Sequence, residues 1–229
     1  MTRPLELRAR ILDAVGREPS ATRRDASKQT AFIIAVAIAV DIGLFLLSDG
    51  LQPGTRPIRF VLITQGGSGL IALWALWGAF GRGRSMLGRP KRWLLGIAVA
   101  TPILLLSWVL FWNAQYPETV ITIPGRIGLR CLVFSLAVAA WPLALLSHSR
   151  REKNPVTPVV AGAARGAAVG ALAWVLVGLW CPLGSPAHLA LGHSLPVLAL
   201  SGFGSWLGKR MTSVSSRRHM RPSHEAMSA

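Results

Sequence analysis

The chain lacks the sequence signatures of catalysis: it has no nucleophile elbow, no metalloprotease helix, no phosphate-binding loop and no pair of convergent carboxylates. An enzyme is therefore not expected, nor is a cofactor. Acidic residues number nine among 229. No succession of carboxylates threads the apolar stretches, as a proton or cation pathway would need, and no internal repeat stands out. There are two cysteines, Cys131 and Cys181. They are not a Cys-x-x-Cys pair, which sets aside disulfide-exchange chemistry. The formal charge of +16 comes with no nucleic-acid-binding motif and is spread over short segments, so direct nucleic-acid binding is not expected.

What the chain has is apolar sequence. Hydrophobic residues make up 52% of it, and long runs occupy residues 31–48, 60–80, 93–112, 127–147, 159–180 and 189–207. A bilayer core roughly 30 Å thick is crossed by about 20 helical residues, and each run is close to that length. Six buried helices of a soluble protein would leave too little polar chain to cover them. The expected fold is all-α: a polytopic bundle of six transmembrane helices over residues 30–210. A cytoplasmic tail precedes it (1–29), and a basic tail without regular structure follows (211–229). No cleavable signal peptide is expected, the first run serving as its own insertion signal.

Lys and Arg alternate between the connections. Arg3, Arg8, Arg10, Arg17, Arg23, Arg24 and Lys28 precede the first run; Arg82, Arg84, Arg89, Lys91 and Arg92 lie between the second and third. Arg150, Arg151 and Lys153 lie between the fourth and fifth, and Lys209, Arg210, Arg217, Arg218 and Arg221 follow the last. The alternate connections hold only Arg56, Arg59, Arg126 and Arg130. Cytoplasmic loops retain positive charge, which places both termini inside a multi-pass protein of the bacterial inner membrane.

Within the runs, Gly162, Gly166 and Gly170 recur at four-residue spacing beside Ala163, Ala167 and Ala171. This smooth face allows neighbouring backbones to approach closely. Gly204 and Gly208 repeat the pattern in the last run. Asp41 lies roughly 15 Å into the first run, and Arg165 lies in the inner half of the fifth. A charge at such depth costs several kcal/mol unless paired, hydrated or neutralised. An Asp41–Arg165 ion pair is one solution. A protonated Asp41 with Arg165 snorkelling to the inner face is the other.

Cys131 falls about one turn below the outer surface and Cys181 at it, on the oxidising side. Tilt can absorb a depth offset of about 6 Å, so a disulfide is feasible if the fourth and fifth spans adjoin. Two inert buried thiols are the alternative. His188 and His193 are the candidate metal ligands nearby, but their spacing fits no standard zinc pattern, and no metal is expected. His193 is read as an interhelical hydrogen-bonding residue.

In the N-terminal tail, Leu7, Ile11 and Val15 share a stripe, Leu5 and Leu12 an adjacent one, with Arg8, Arg10, Asp13 and Arg17 elsewhere. The pattern predicts a short amphipathic helix ending near Pro19, suited to a partner's groove or to the lipid bilayer surface.

Taken together, three features resemble the NrsF-type six-span membrane anti-sigma factors. They are the tail reading Arg17-Glu18-Pro19-Ser20-Ala21-Thr22-Arg23-Arg24, Cys131 opening span four, and Cys181-Pro182-Leu183-Gly184-Ser185-Pro186 leading through His188 to Gly208-Lys209-Arg210. Light-responsive regulators of the CarR type have a comparable role. The resemblance covers nearly the whole chain, though its motifs are short. It implies that the tail binds an extracytoplasmic-function sigma factor, with Leu5, Leu7, Arg8, Ile11, Leu12, Val15, Arg23 and Arg24 as candidate contacts. It also implies that Cys131 and Cys181 help to sense stress outside. No His/Cys cluster lies on the inner side, so the soluble zinc-binding module of other anti-sigma families is not expected. A small six-span transporter or channel is the alternative function.

Overall fold

A computed structural model describes residues 23–47, 57–81, 89–119, 128–149, 157–181 and 183–219. Among them the regular structure is helical, in six long helices. They are α1 (Arg23–Leu47), α2 (Ile58–Phe80), α3 (Lys91–Gln115), α4 (Leu129–Ser149), α5 (Pro158–Trp180) and α6 (Leu195–His219). A helical turn, Pro186–His188, and a π-helical segment, Leu189–Ser194, lead into α6.

The helix ends follow from local chemistry. Pro57, Pro90 and Pro158 stand at or next to the first helical residue of α2, α3 and α5, where a missing N–H removes nothing from the helix. Cys181 ends α5 in an extended conformation because Pro182 follows it, and the residue before a proline is pushed out of the helical region. At the end of α2 the Arg89 guanidinium donates to the carbonyls of Gly81 and Trp77, at 3.1 and 3.2 Å. The Trp77 carbonyl also accepts the Gly81 N–H at 2.8 Å, and a cation at this end complements the helix dipole.

Among the described residues four helices, α2 to α5, are long and apolar enough to cross a membrane. In α1 the apolar stretch is Ala31–Val40, and the last apolar run is divided between the π segment and α6. α1 begins at Arg23, eight residues before its apolar run, so part of the segment read as a tail is helical. Likewise α6 continues to His219, past Lys209 and Arg210.

The distribution of polarity is inverted relative to a soluble bundle. Thr64, Gln65, Ser68, Thr101, Ser135 and Arg165 are buried, whereas Leu62, Leu70, Leu73, Trp77, Ile103 and Val133 stand more than half exposed. Three of the inner hydroxyls are satisfied within their own helices: Thr64 donates to the Phe60 carbonyl (2.8 Å), Ser68 to Thr64 (2.8 Å) and Thr101 to Ile97 (2.6 Å). An apolar exterior around such an interior suits lipid as the solvent.

α5 is the hub: 67% of its most apolar stretch is buried, against 39% in α2, α3 and α4. Its most extensive contact is with α6. A Cβ on Gly162 would strike the Gly204 carbonyl, one on Gly166 the Leu200 carbonyl, and one on Gly208 the Pro158 carbonyl. The two backbones therefore touch along three turns, and Ser201 donates across the seam to the Ala163 carbonyl at 3.1 Å. On the other side of the bundle, Trp108 of α3 lies over Gly67 and donates its indole N–H to the Thr64 carbonyl of α2 at 3.2 Å.

Candidate thiol–imidazole site

Three elements meet at one end of the bundle, and each delivers part of a cluster. Cys131 sits in the first turn of α4, Cys181 at the C-terminal cap of α5, His188 in the turn after it and His193 in the π segment. All four side chains are buried. The sulfurs of Cys131 and Cys181 are 3.5 Å apart, and Cys181 Sγ lies 3.1 Å from His188 Nε2. Both cysteines are free thiols. One donor atom from each of the four residues lies within 4.8 Å of all the others.

The two histidines are five residues apart, a spacing that on an α-helix separates side chains by about 140°. In the π segment the bonding runs from residue i to i+5, as in the Leu195 N–H to Ala190 carbonyl bond. Residues five apart then stack on one face. The His188 and His193 rings accordingly lie 5.5 Å apart. This is the signal that spacing alone misses, because sequence patterns for metal or catalytic histidines assume α-helical or loop geometry.

Glycines bring α4 against this segment. Gly128 has φ +96°, a conformation that L side chains rarely adopt. A Cβ there would stand 2.9 Å from the Gly192 nitrogen, and a Cβ on Gly192 would stand 3.2 Å from Cβ of Cys131. The start of α4 thus rests directly on the π segment, which brings Cys131 up to the histidines.

The surroundings are apolar and aromatic. Val177, Leu183 and Phe134 pack around the thiols, and Trp174 presents an edge-on contact to His193 at 5.4 Å. No oxygen or nitrogen among the described residues hydrogen-bonds to either ring nitrogen of His193. The polar group beside it is the Cys181 thiol at the end of α5, and Trp174 covers the ring from the other side. At the rim, the Arg130 guanidinium lies over the Trp180 ring at 5.6 Å. Beside the cluster, Gln65, Asn113, Trp174 and His193 help line a small cavity of about 20 Å³, room for about one water.

Of the other residues singled out from sequence, Arg165 is buried in α5, and α1 packs against that helix. The side chain of Asp41 lies outside the described residues, as do Leu5, Leu7, Arg8, Ile11, Leu12 and Val15. Arg23 and Arg24 form the first turn of α1.

Among the described residues, an all-helical bundle with an apolar exterior and polar groups turned inward defines a membrane protein, with thiols and imidazoles buried together at one end. The family model for NrsF, negative regulator of sigma F, matches residues 14–213, and the chain belongs to this family. It is accordingly a negative regulator with a sigma factor as partner. No curated protein and no solved structure matches the chain.

Proposed function

We propose that this chain is a six-span anti-sigma factor of the bacterial inner membrane, with both termini in the cytoplasm. Residues 1–29 would hold an extracytoplasmic-function sigma factor away from RNA polymerase, and a change at Cys131 and Cys181 would release it. The family membership supplies the sigma partner. The observation that carries the sensing role is the 3.5 Å approach of two free sulfurs where α4, α5 and the lead-in to α6 converge. Six crossings are supported by the helical path that enters α6 without a break from Pro186. The inside orientation rests on the Lys and Arg distribution.

The chemical step is a two-electron oxidation by a hydroperoxide. One thiolate attacks the peroxide oxygen, giving a sulfenic acid and releasing an alcohol or water. The second thiol then displaces the hydroxyl as water and closes the S–S bond. The sulfurs approach by about 1.5 Å to reach bonding distance, near 2.04 Å. That movement repacks α4 against α5, and these are the helices joined by the inner connection bearing Arg150, Arg151 and Lys153. A tenfold loss of sigma affinity needs only about 1.4 kcal/mol. Envelope or light stress would act through the same pair wherever it generates such an oxidant.

The test is co-purification of the intact membrane protein from cells. A sigma subunit is expected to accompany the full chain and to be lost when residues 1–29 are removed, leaving its target genes constitutively active. Cys131→Ser with Cys181→Ser should retain the sigma subunit and abolish release by peroxide. Normal induction in that double variant would remove the thiols from the pathway, and capture of no sigma subunit would sink the whole reading.

A further inference from the structure

We propose that Cys131, Cys181, His188 and His193 form a four-coordinate site for a thiophilic divalent cation, namely zinc. The assignment rests on the donor geometry and does not require the sigma-retention reading.

Zn–S bonds of about 2.3 Å and Zn–N bonds of about 2.0–2.1 Å in a tetrahedron put the sulfurs roughly 3.8 Å apart and each sulfur about 3.5 Å from a nitrogen. The protein holds its sulfurs at 3.5 Å and Cys181 Sγ at 3.1 Å from His188 Nε2, with no donor separation above 4.8 Å. Small rotations of the imidazoles complete the polyhedron. Two cysteines and two histidines are a recurrent closed zinc set. A second observation points to a ligand: His193 is 2% exposed, neither ring nitrogen has an oxygen or nitrogen partner among the described residues, and the polar group it faces is the Cys181 thiol. A buried imidazole with only a thiol as partner is costly, and a metal bond removes that cost.

Charge selects the ion. Two thiolates and two neutral imidazoles around a divalent cation sum to zero, the state that an apolar pocket of Val177, Leu183, Phe134 and Trp174 tolerates best. A monovalent ion such as Cu(I) leaves one negative charge buried. Binding requires both thiols to lose their protons, and the metal occupies the sulfurs that would otherwise join as a disulfide. Zinc-bound and disulfide forms therefore exclude one another. The metal would tie α4, α5 and the lead-in to α6 together while the thiols are reduced.

The experiment uses the full-length protein purified in detergent under reducing conditions. Metal content after zinc loading and chelator competition should give one zinc per chain. Cobalt(II) loading should produce the visible absorption of a tetrahedral thiolate complex. His193→Ala should weaken zinc binding by more than the ten- to hundredfold that outer hydrogen-bond partners of a ligand carry. His193→Cys, which restores a fourth donor, should recover tetrahedral cobalt absorption with a stronger thiolate band, which also guards against a folding defect. Zinc binding that survives His188→Ala with His193→Ala overturns the four-ligand site. Failure of the reduced wild-type protein to bind zinc, or stoichiometric binding of Cu(I) with none of zinc, overturns the assignment outright. Sigma co-purification measured on the same preparations reports separately on the regulatory reading.

Discussion

Gly128 is the residue on which the approach of the thiols depends. Its φ of +96° lets α4 start close against Gly192, and the nearest neighbour of any added Cβ is backbone. Gly128→Ala is expected to cost about 1–2 kcal/mol for the backbone conformation alone. It should also separate Cys131 from Cys181, slowing peroxide-driven disulfide formation, which a thiol-trapping time course would read; an unchanged rate would show that the contact does not set the sulfur distance. At this scale the sequence reveals the two cysteines, because an inward span beginning near Cys131 and an outward span ending at Cys181 have to bring them to one surface. It places His188 and His193 nearby, but it does not reveal that both rings turn towards the sulfurs. A five-residue interval acquires meaning only once the helix is widened between Leu189 and Ser194, and that widening leaves no mark in the hydropathy. The proposed contacts of Leu5 to Val15 with a sigma subunit would depend on a surface that this chain does not contain.

Among the elements, α5 and α6 form the rigid centre, and its rigidity comes from missing side chains. Gly166→Leu should strain the seam by at least the 1–3 kcal/mol typical of an overfilled core, because the obstacle is the Leu200 backbone and not a movable rotamer. Gly202→Ala meets nothing within 4 Å and should be neutral. Thermal unfolding of the two variants in detergent checks the contrast; equal midpoints would mean that the seam is not tight. The spacing of Gly162, Gly166 and Gly170 made a small-residue face readable. Which helix covers it was not readable, since Gly66, Gly67 and Gly69 in α2 offered another partner, and Gly67 is instead taken by Trp108. The starts of α2, α3 and α5 fall within two residues of the apolar runs that begin at 60, 93 and 159. The start of α1 does not, because Arg23 to Thr30 is polar yet contains nothing that breaks a helix.

For the whole molecule, the placement of Lys and Arg gives a direction, and aromatic side chains mark both ends. Arg89 lies over Trp77 and Arg210 over Trp206, at 4.6 and 4.3 Å, at the end opposite the thiols, while Trp112 stacks on Tyr116 near the thiol end. Such rings favour the two membrane interfaces. In a variant lacking both native cysteines, Ser185→Cys should react with a membrane-impermeant maleimide in intact spheroplasts, and Lys209→Cys only after lysis. The reverse pattern would invert the topology and put the thiols on the reducing side. The glycine seam has a mechanical corollary. Two rods in backbone contact from Pro158 to Gly170 of α5 cannot slide or part easily there, so the seam clamps that end of α5 and leaves the Cys181 end to move. A pull of about 1.5 Å on the capped end of α5, as S–S closure requires, would then be taken up between Gly170 and Cys181, beyond the seam. A spin-label pair bridging that end would register it as a step in distance between reduced and oxidised protein.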